Sequence, residues 1–384
     1  MTEDNPSPAR RYPCPDWLAV RFLEKKSLGF EPFLETILYD PIEGYYGRGR
    51  EVIGPQGDYI TGSTLHPGFA RAMARILEQT IESLSSSKPR QIDFVDAGAG
   101  SGRFLQNLSA AIRDIAPSLL SCVRFHAIEK SDALREKIRA RPIEPAPELH
   151  EGCEALPNAM QGVVFSYELF DAIPFARVFG LPDREIGEEV VVFDPGDRTI
   201  RVEVDPAPEE LRQLLAEDSI VLEEGQEAEI RPALSPLYRT LAQKLEAGII
   251  LTFDYGARAR ALYSPIARFH GTATAHFRHG AHRGLLENPG EQDVTAHLNF
   301  SAIERAGERE GAKTVSFVSQ AQILLGAGLA ADLATNPAAD PNRSGLLRLI
   351  RLDDMGDDIR VLVQTKNLES PSSLKFLQFN QLRS

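Results

Sequence analysis

The 384-residue chain is 42% hydrophobic and 25% charged, an ordinary globular balance with length for one large elaborated domain or two. Its 42 Lys and Arg against 55 Asp and Glu leave a formal charge of -13, which repels phosphate backbones and makes nucleic acid a poor partner. Cys14, Cys122 and Cys153 stand far apart in no CxxC spacing, and no apolar run reaches membrane length behind the polar segment Met1 to Arg11. A cytoplasmic protein without disulfides, thiolate metal site, signal segment or membrane span is expected.

From Trp17 to Leu38 the residues Leu18, Val20, Phe22, Leu23, Phe33, Leu34 and Leu38 recur near helical spacing, predicting one or two amphipathic helices divided at Gly29. Glycines 44, 47, 49, 54, 57 and 62 then fall close together among tyrosines and predict a structured loop. Its segment Gly57-Asp58-Tyr59-Ile60-Thr61 reads as a lid over a cofactor, or else as an N-terminal brace. Pro67 is a good first-turn residue for a helix running to Ile81, and Ser85 to Pro89 breaks the chain before the core.

The core opens with a strand at Ile92–Val95, a helix at Arg103–Ile115, a strand at Val123–Ile128 and a helix at Leu134–Arg141, a βαβ rhythm. The apolar runs Gly162–Phe165 and Gly248–Phe253 read as buried parallel strands, each followed by acidic and polar residues. Between them, Glu189–Asp194 and Thr199–Val204 flank Pro195-Gly196-Asp197 as a β-hairpin, so 177–231 is expected to be an inserted β-rich subdomain. The late runs Thr314–Val318 and Ile359–Gln364 suit an antiparallel sheet edge. The fold class expected is α/β, a Rossmann-like sheet with an N-terminal helical extension and an inserted hairpin and helical subdomain. The domains expected are 1–88, 89–176, 177–231 and 232–384, the last with a substrate-side loop at 256–300.

In Asp96-Ala97-Gly98-Ala99-Gly100-Ser101-Gly102 a strand runs into three alternate glycines and then a helix, letting the backbone approach a ligand at the strand's carboxyl end. A dinucleotide fingerprint needs glycine at its sixth position, where this chain has Arg103. Asp96 can meet the cationic amino-acid end of S-adenosyl-L-methionine, whereas an anion there opposes pyrophosphate. Glu129, closing the second strand, can accept both ribose hydroxyls. The plain alternative is that the glycines form only a tight turn. Past the fourth strand, Glu168 and Asp171 in Ser166-Tyr167-Glu168-Leu169-Phe170-Asp171-Ala172-Ile173-Pro174 suit a nitrogen nucleophile that must lose a proton. As a pair they can fork a guanidinium and take that proton. The alternative has Asp171 capping a helix near Ala172 and Glu168 solvated.

Seven motifs in order carry a family likeness from about Phe30 to Lys366. They are Gly44-Tyr45-Tyr46, Gly57 to Thr61, Gly98 to Gly102, Glu129-Lys130-Ser131, Glu168 to Pro174, Asp254-Tyr255-Gly256, and Pro289-Gly290 with Asp293, Thr295, His297 and Phe300. In these the chain resembles the MidA family, whose mitochondrial members are protein arginine methyltransferases needed for assembly of respiratory complex I. The resemblance implies that the Rossmann-like sheet is a class I methyltransferase sheet, with S-adenosyl-L-methionine as methyl donor and an arginine-bearing protein as substrate, such as a respiratory NADH dehydrogenase subunit, and with a homodimer left open. It places Gly57, Asp58 and Thr61 beside Asp96, Gly98, Gly100, Gly102 and Glu129 at the cofactor, Glu168 and Asp171 at the catalytic position, and no metal. The chain departs from the family pattern at Tyr167, where Asn is usual, at Ser63-Thr64, where Pro-Glu is usual, and at Ala273-Thr274, where Leu-Arg is usual. A cofactor-binding assembly factor with little or no turnover is the second reading those departures leave. His270, His276, His279 and His282 crowd one segment, but its glycines argue against a regular metal-binding helix.

Overall fold

A computed structural model describes residues 10–48, 61–84, 91–278, 280–335 and 343–378. The chain divides into two compact units, one of Glu51–Asp171, Leu234–Ala257 and Leu298–Ser384, the other of Met1–Arg50, Ala172–Ala233 and Arg258–His297.

The first unit is built on seven strands rich in β-branched and aromatic residues. They are β1 Ile92–Ala97, β2 Val123–Ile128, β3 Glu148–His150, β4 Met160–Tyr167, β5 Leu245–Ala257, β6 Lys313–Ser319 and β7 Ile359–Lys366. Their order is β6-β7-β5-β4-β1-β2-β3, with the short strand Leu298–Asn299 joining β5. Strands β1 to β5 run parallel, while β7 is antiparallel to both β5 and β6. The chain starts mid-sheet at β1, winds outward to β3, then crosses to the other side of β1 at β4. That reversal makes a topological switch point, where a crevice opens beyond the strand carboxyl ends.

The late strands form the antiparallel edge expected of them, β7 pairing antiparallel with β5 and β6 with β7. The reversed strand β7 lies inside, between β5 and β6, because its residues are buried almost end to end, whereas β6 is half-exposed and takes the edge. Helix α1, Pro67–Ser83, starts where expected, with the His66 ring accepting from Gly68 N at 2.9 Å. Helix α2 spans Arg103–Ile115, and α3 spans Asp132–Arg139, two residues earlier than its apolar pattern suggests. Phe69 of α1 packs edge-on against Phe104, Tyr167 and Phe253, and Phe104 stacks on Phe165 with centroids 4.5 Å apart. Each fully buried ring of this kind contributes about 1.5–3 kcal/mol, so this aromatic layer fixes α1 and α2 on the sheet.

The second unit has its own sheet, in the order Tyr12–Pro13, Thr199–Pro206, Ile186–Asp194, Ala176–Gly180, Glu227–Ile230, with Ser27–Gly29 also pairing to Ile186–Asp194. The expected hairpin is present, closing at Asp194 opposite Thr199, and the Asp194 side chain accepts from Gly196 N. Gly29 divides the N-terminal segment, but a strand separates its helices: Asp16–Ala19, a 3-10 turn at Val20–Phe22, Ser27–Gly29, then Phe30–Tyr39. The stretch 256–300 is not a plain loop. It carries the helix Ala259–Leu262 and a three-stranded sheet of Gly280–His282, Thr274–Phe277 and Asp293–Thr295. His276 and His282 lie on neighbouring strands of that sheet, and His279 lies outside the described residues. No helix of the described residues is long and apolar enough to cross a membrane.

Candidate functional site

The six residues of β1 are all buried and deliver the chain to the switch point, where Gly98, Gly100 and Gly102 take φ of 80°, 54° and 75°. A Cβ on Gly98 would stand 2.9 Å from the Leu169 side chain, so the loop after β1 and the loop after β4 are in close contact. Gly98 N and Ala99 N donate to Ile128 O, tying the same loop to the end of β2. Gly102 opens α2 from the left-handed region, a conformation that favours glycine.

Asp96 is 4% exposed, and its Oδ2 has no hydrogen-bond partner among the described residues. Burial, then the nearby Glu129 carboxylate, pushes its carboxyl up to about 8. Glu129 closes β2 with Oε2 accepting from Gly100 N at 2.9 Å and Oε1 accepting from Ser131 N at 2.8 Å. Burial raises its carboxyl, although both N–H groups and Arg135 pull the other way. Each oxygen of a carboxylate keeps a second lone pair when one is engaged, so Glu129 can brace the glycine loop and still accept from two hydroxyls. The Ser131 hydroxyl beside it is buried without a partner among the described residues.

At the end of β4, Glu168 holds a φ of 49°, rare for a residue with a side chain, while its N–H donates to Phe253 O at 2.9 Å. Its Oε1 is buried with no partner among the described residues, and burial, followed by the charges of Asp171 and Asp254, raises its carboxyl well above the usual range. Asp254 on β5 is fully buried and accepts from Phe170 N at 2.9 Å and Asp171 N at 3.3 Å. No helix follows Asp171, which corrects the capping alternative. The segment is a turn whose amides are claimed by Asp254, and Pro174 removes a further backbone donor that a helix would use.

Tyr167 is buried, stacked on Phe253 at 5.6 Å, and its hydroxyl donates to Gln320 Oε1 at 2.9 Å. Thr61 is 6% exposed, with Oγ1 within 3.3 Å of Ser63 Oγ and 3.1 Å of Thr64 Oγ1. Gly57 and Asp58 lie outside the described residues. Thus Asp96, the three glycines, Glu129, Glu168 and Asp171 gather at the ends of β1, β2 and β4. In the sequence Asp254 and Ser131 stand only within the motifs Asp254-Tyr255-Gly256 and Glu129-Lys130-Ser131, with no site role given; an acid at a strand's carboxyl end and a serine two residues past Glu129 were the signals to follow.

Three buried side-chain oxygens without partners among the described residues, Asp96 Oδ2, Ser131 Oγ and Glu168 Oε1, therefore stand at three adjacent strand ends. A buried polar atom left unsatisfied costs about 1–3 kcal/mol, so such a cluster is ready for a ligand bearing donors. Ribose hydroxyls and a cationic amino-acid arm supply those donors, whereas an ionised pyrophosphate offers only acceptors. The residues present fit S-adenosyl-L-methionine.

The chain matches, over residues 72–318, the model of a family of S-adenosyl-L-methionine-dependent methyltransferases. It belongs to this family. The methyltransferase is 24% identical to the protein arginine methyltransferase NDUFAF7, mitochondrial, of Xenopus tropicalis, over 77% of this chain and 71% of that one. The homologous mitochondrial protein of Drosophila melanogaster is 24% identical over 77% and 70%. A crystal structure of a COG1565-superfamily member from Burkholderia thailandensis, bound to S-adenosyl-homocysteine, shares the fold with a TM-score of 0.81. It is 27% identical to the methyltransferase and covers 93% of this chain and 92% of its own. The MidA-type resemblance, the α/β fold and the methyl donor read from the sequence are borne out.

Proposed function

We propose that the methyltransferase modifies arginine on a protein, with Glu168 and Asp171 receiving the guanidinium and Asp96, Gly98, Gly100, Gly102, Glu129 and Thr61 holding the cofactor. The observation that carries this reading is the gathering of Glu168, Asp171 and Asp254 at one strand end, with Glu168 Oε1 buried and without a hydrogen-bond partner among the described residues; burial, then the two neighbouring carboxylates, raises the Glu168 carboxyl. A cation relieves that repulsion, and a planar guanidinium offers paired donors that match a carboxylate. When bound, S-adenosyl-L-methionine supplies a methyl group activated on a positively charged sulfur.

The chain's own residues then align and deprotonate the acceptor. Glu168 directs one guanidinium nitrogen and accepts its proton as that nitrogen gains a carbon substituent. Asp254 holds the amides of Phe170 and Asp171, so the turn keeps Glu168 in its unusual backbone conformation. Leu169, packed against Gly98, keeps that turn beside the cofactor loop and excludes water from it. The named Xenopus and Drosophila relatives, both called protein arginine methyltransferases, support this acceptor.

A second reading, a cofactor-binding assembly factor with little turnover, draws on Tyr167. Its hydroxyl is committed to Gln320, where the family pattern offers an amide next to the glutamate. Incubation with labelled donor and matched arginine or lysine peptides, followed by hydrolysis and amino-acid analysis, separates the two. Methylarginine is the expected product; cofactor binding with no label in either peptide or in protein extract favours the second reading. We also place the chain in the cytoplasm, since Cys14, Cys122 and Cys153 are free; its appearance in an organelle or membrane fraction would contradict that.

A further inference from the structure

Methyl transfer makes no use of a polar cluster on the outer strands β2 and β3. Their register sets His126 opposite Glu148 and Ile128 opposite His150, so His126, Glu148 and His150 share one face of the sheet edge. His126 Nδ1 lies 3.0 Å from His150 Nε2 and 3.7 Å from Glu148 Oε2, and all three ligand atoms fall within 4.8 Å of one another. On its other side, His126 Nε2 lies 3.1 Å from Asp93 Oδ1.

Asp93 is itself tightly held. Arg124 Nε donates to its Oδ1 at 2.8 Å and Gln161 N to its Oδ2 at 3.0 Å. Asp93 Oδ1, already facing the Arg124 guanidinium, accepts a hydrogen bond from His126 Nε2–H, which fixes the tautomer and turns the Nδ1 lone pair toward His150. A carboxylate orienting an imidazole whose other nitrogen faces two further donors is the arrangement that tunes metal-bound histidines.

The spacing suits a small tetrahedral ion. Metal–nitrogen bonds of about 2.0–2.1 Å at tetrahedral angles place neighbouring ligand atoms roughly 3.3 Å apart, between the 3.0 and 3.7 Å seen here. His126 is fully buried and fixed, whereas the Glu148 side chain is half-exposed, which gives the ion a path in and leaves a fourth position for water.

We propose that His126 Nδ1, His150 Nε2 and the Glu148 carboxylate form a zinc site that pins the short edge strand β3 to β2. Zinc replaces the hydrogen bond between the two rings, and His150 then carries its proton on Nδ1. The test uses the full chain stripped of metal, titrated with Zn²⁺ by calorimetry and with Co²⁺ by visible absorption. One equivalent is expected, with a tetrahedral Co²⁺ spectrum and a thermal midpoint that rises with added Zn²⁺. His150→Ala should abolish the binding, and Glu148→Gln, at a half-exposed position that tolerates change, should weaken it at least tenfold. Absence of binding by the unmodified chain overturns the proposal. So does equal affinity in Glu148→Gln and in a folded His150→Ala, which would move the metal to the segment holding His270, His276 and His282.

Discussion

The Asp96 carboxyl offers a quantitative test of how the cofactor is held. With its titration near 8, only about one free molecule in eleven carries a charged Asp96 at pH 7. A cationic amino-acid arm binds the charged form, so binding must first release a proton, at a cost of about 1.4 kcal/mol for each pH unit below 8. Affinity for S-adenosyl-L-methionine should therefore rise about tenfold from pH 6 to pH 7, rise further toward pH 8, and level off above it. Calorimetry in buffers of different ionisation enthalpy should register close to one proton released per cofactor at pH 7. Asp96→Asn should flatten the profile and lose the release. Affinity that is constant between pH 6 and pH 9 in the unmodified enzyme would refute the argument, because the buried carboxyl would then not be the partner of the cation. The same shift acts on folding: a carboxyl raised in the folded state stabilises it fully below its unfolded pKa and loses that contribution as pH rises through 8. Asp96→Asn should accordingly raise the thermal midpoint of the cofactor-free protein at pH 8, with the gain shrinking toward pH 5.

Glu168→Gln should leave the dissociation constant for S-adenosyl-homocysteine nearly unchanged while methyl transfer falls about 100-fold or more, the scale of losing a positioned base; unchanged turnover would remove Glu168 from the chemistry. Gly100→Val forces a β-branched residue to a φ of 54° and should abolish cofactor binding by calorimetry with the fold intact by circular dichroism. Asp254→Ala strands the buried amides of Phe170 and Asp171, and urea unfolding should show a loss of about 1–3 kcal/mol for the better buried of the two, with methyl transfer falling alongside.

The cofactor half of the site was legible because it is local in sequence. One strand, three alternate glycines and a helix follow one another directly between Ile92 and Ile115, and their spacing separates a pyrophosphate loop from one that admits Asp96 and Arg103. Glu168 and Asp171 were legible as acids past a strand end, but the strain at Glu168 was not, since it depends on Asp254 reaching across from β5 to hold the turn. The helix of the alternative reading after Asp171 is absent, and Pro174 lacks the N–H that a capping Asp171 would bind in its first turn. The pairing of β6 and β7 as an antiparallel edge was legible, but their order was not, because Thr314–Val318 and Ile359–Gln364 both mix apolar with polar residues and only the register with β5 sets β7 inside. The His126, Glu148 and His150 cluster was invisible because strand register alone brings its members together.

Deuterium-labelled S-adenosyl-L-methionine incubated with the enzyme and with protein extract from cells lacking it tests the central claim most directly, with mass spectrometry locating the label. The account predicts labelled methyl groups on arginine nitrogen in a protein, present with the unmodified enzyme and lost with Glu168→Gln. Label confined to lysine or to small molecules, or none at all from a folded enzyme that binds the cofactor, would contradict it.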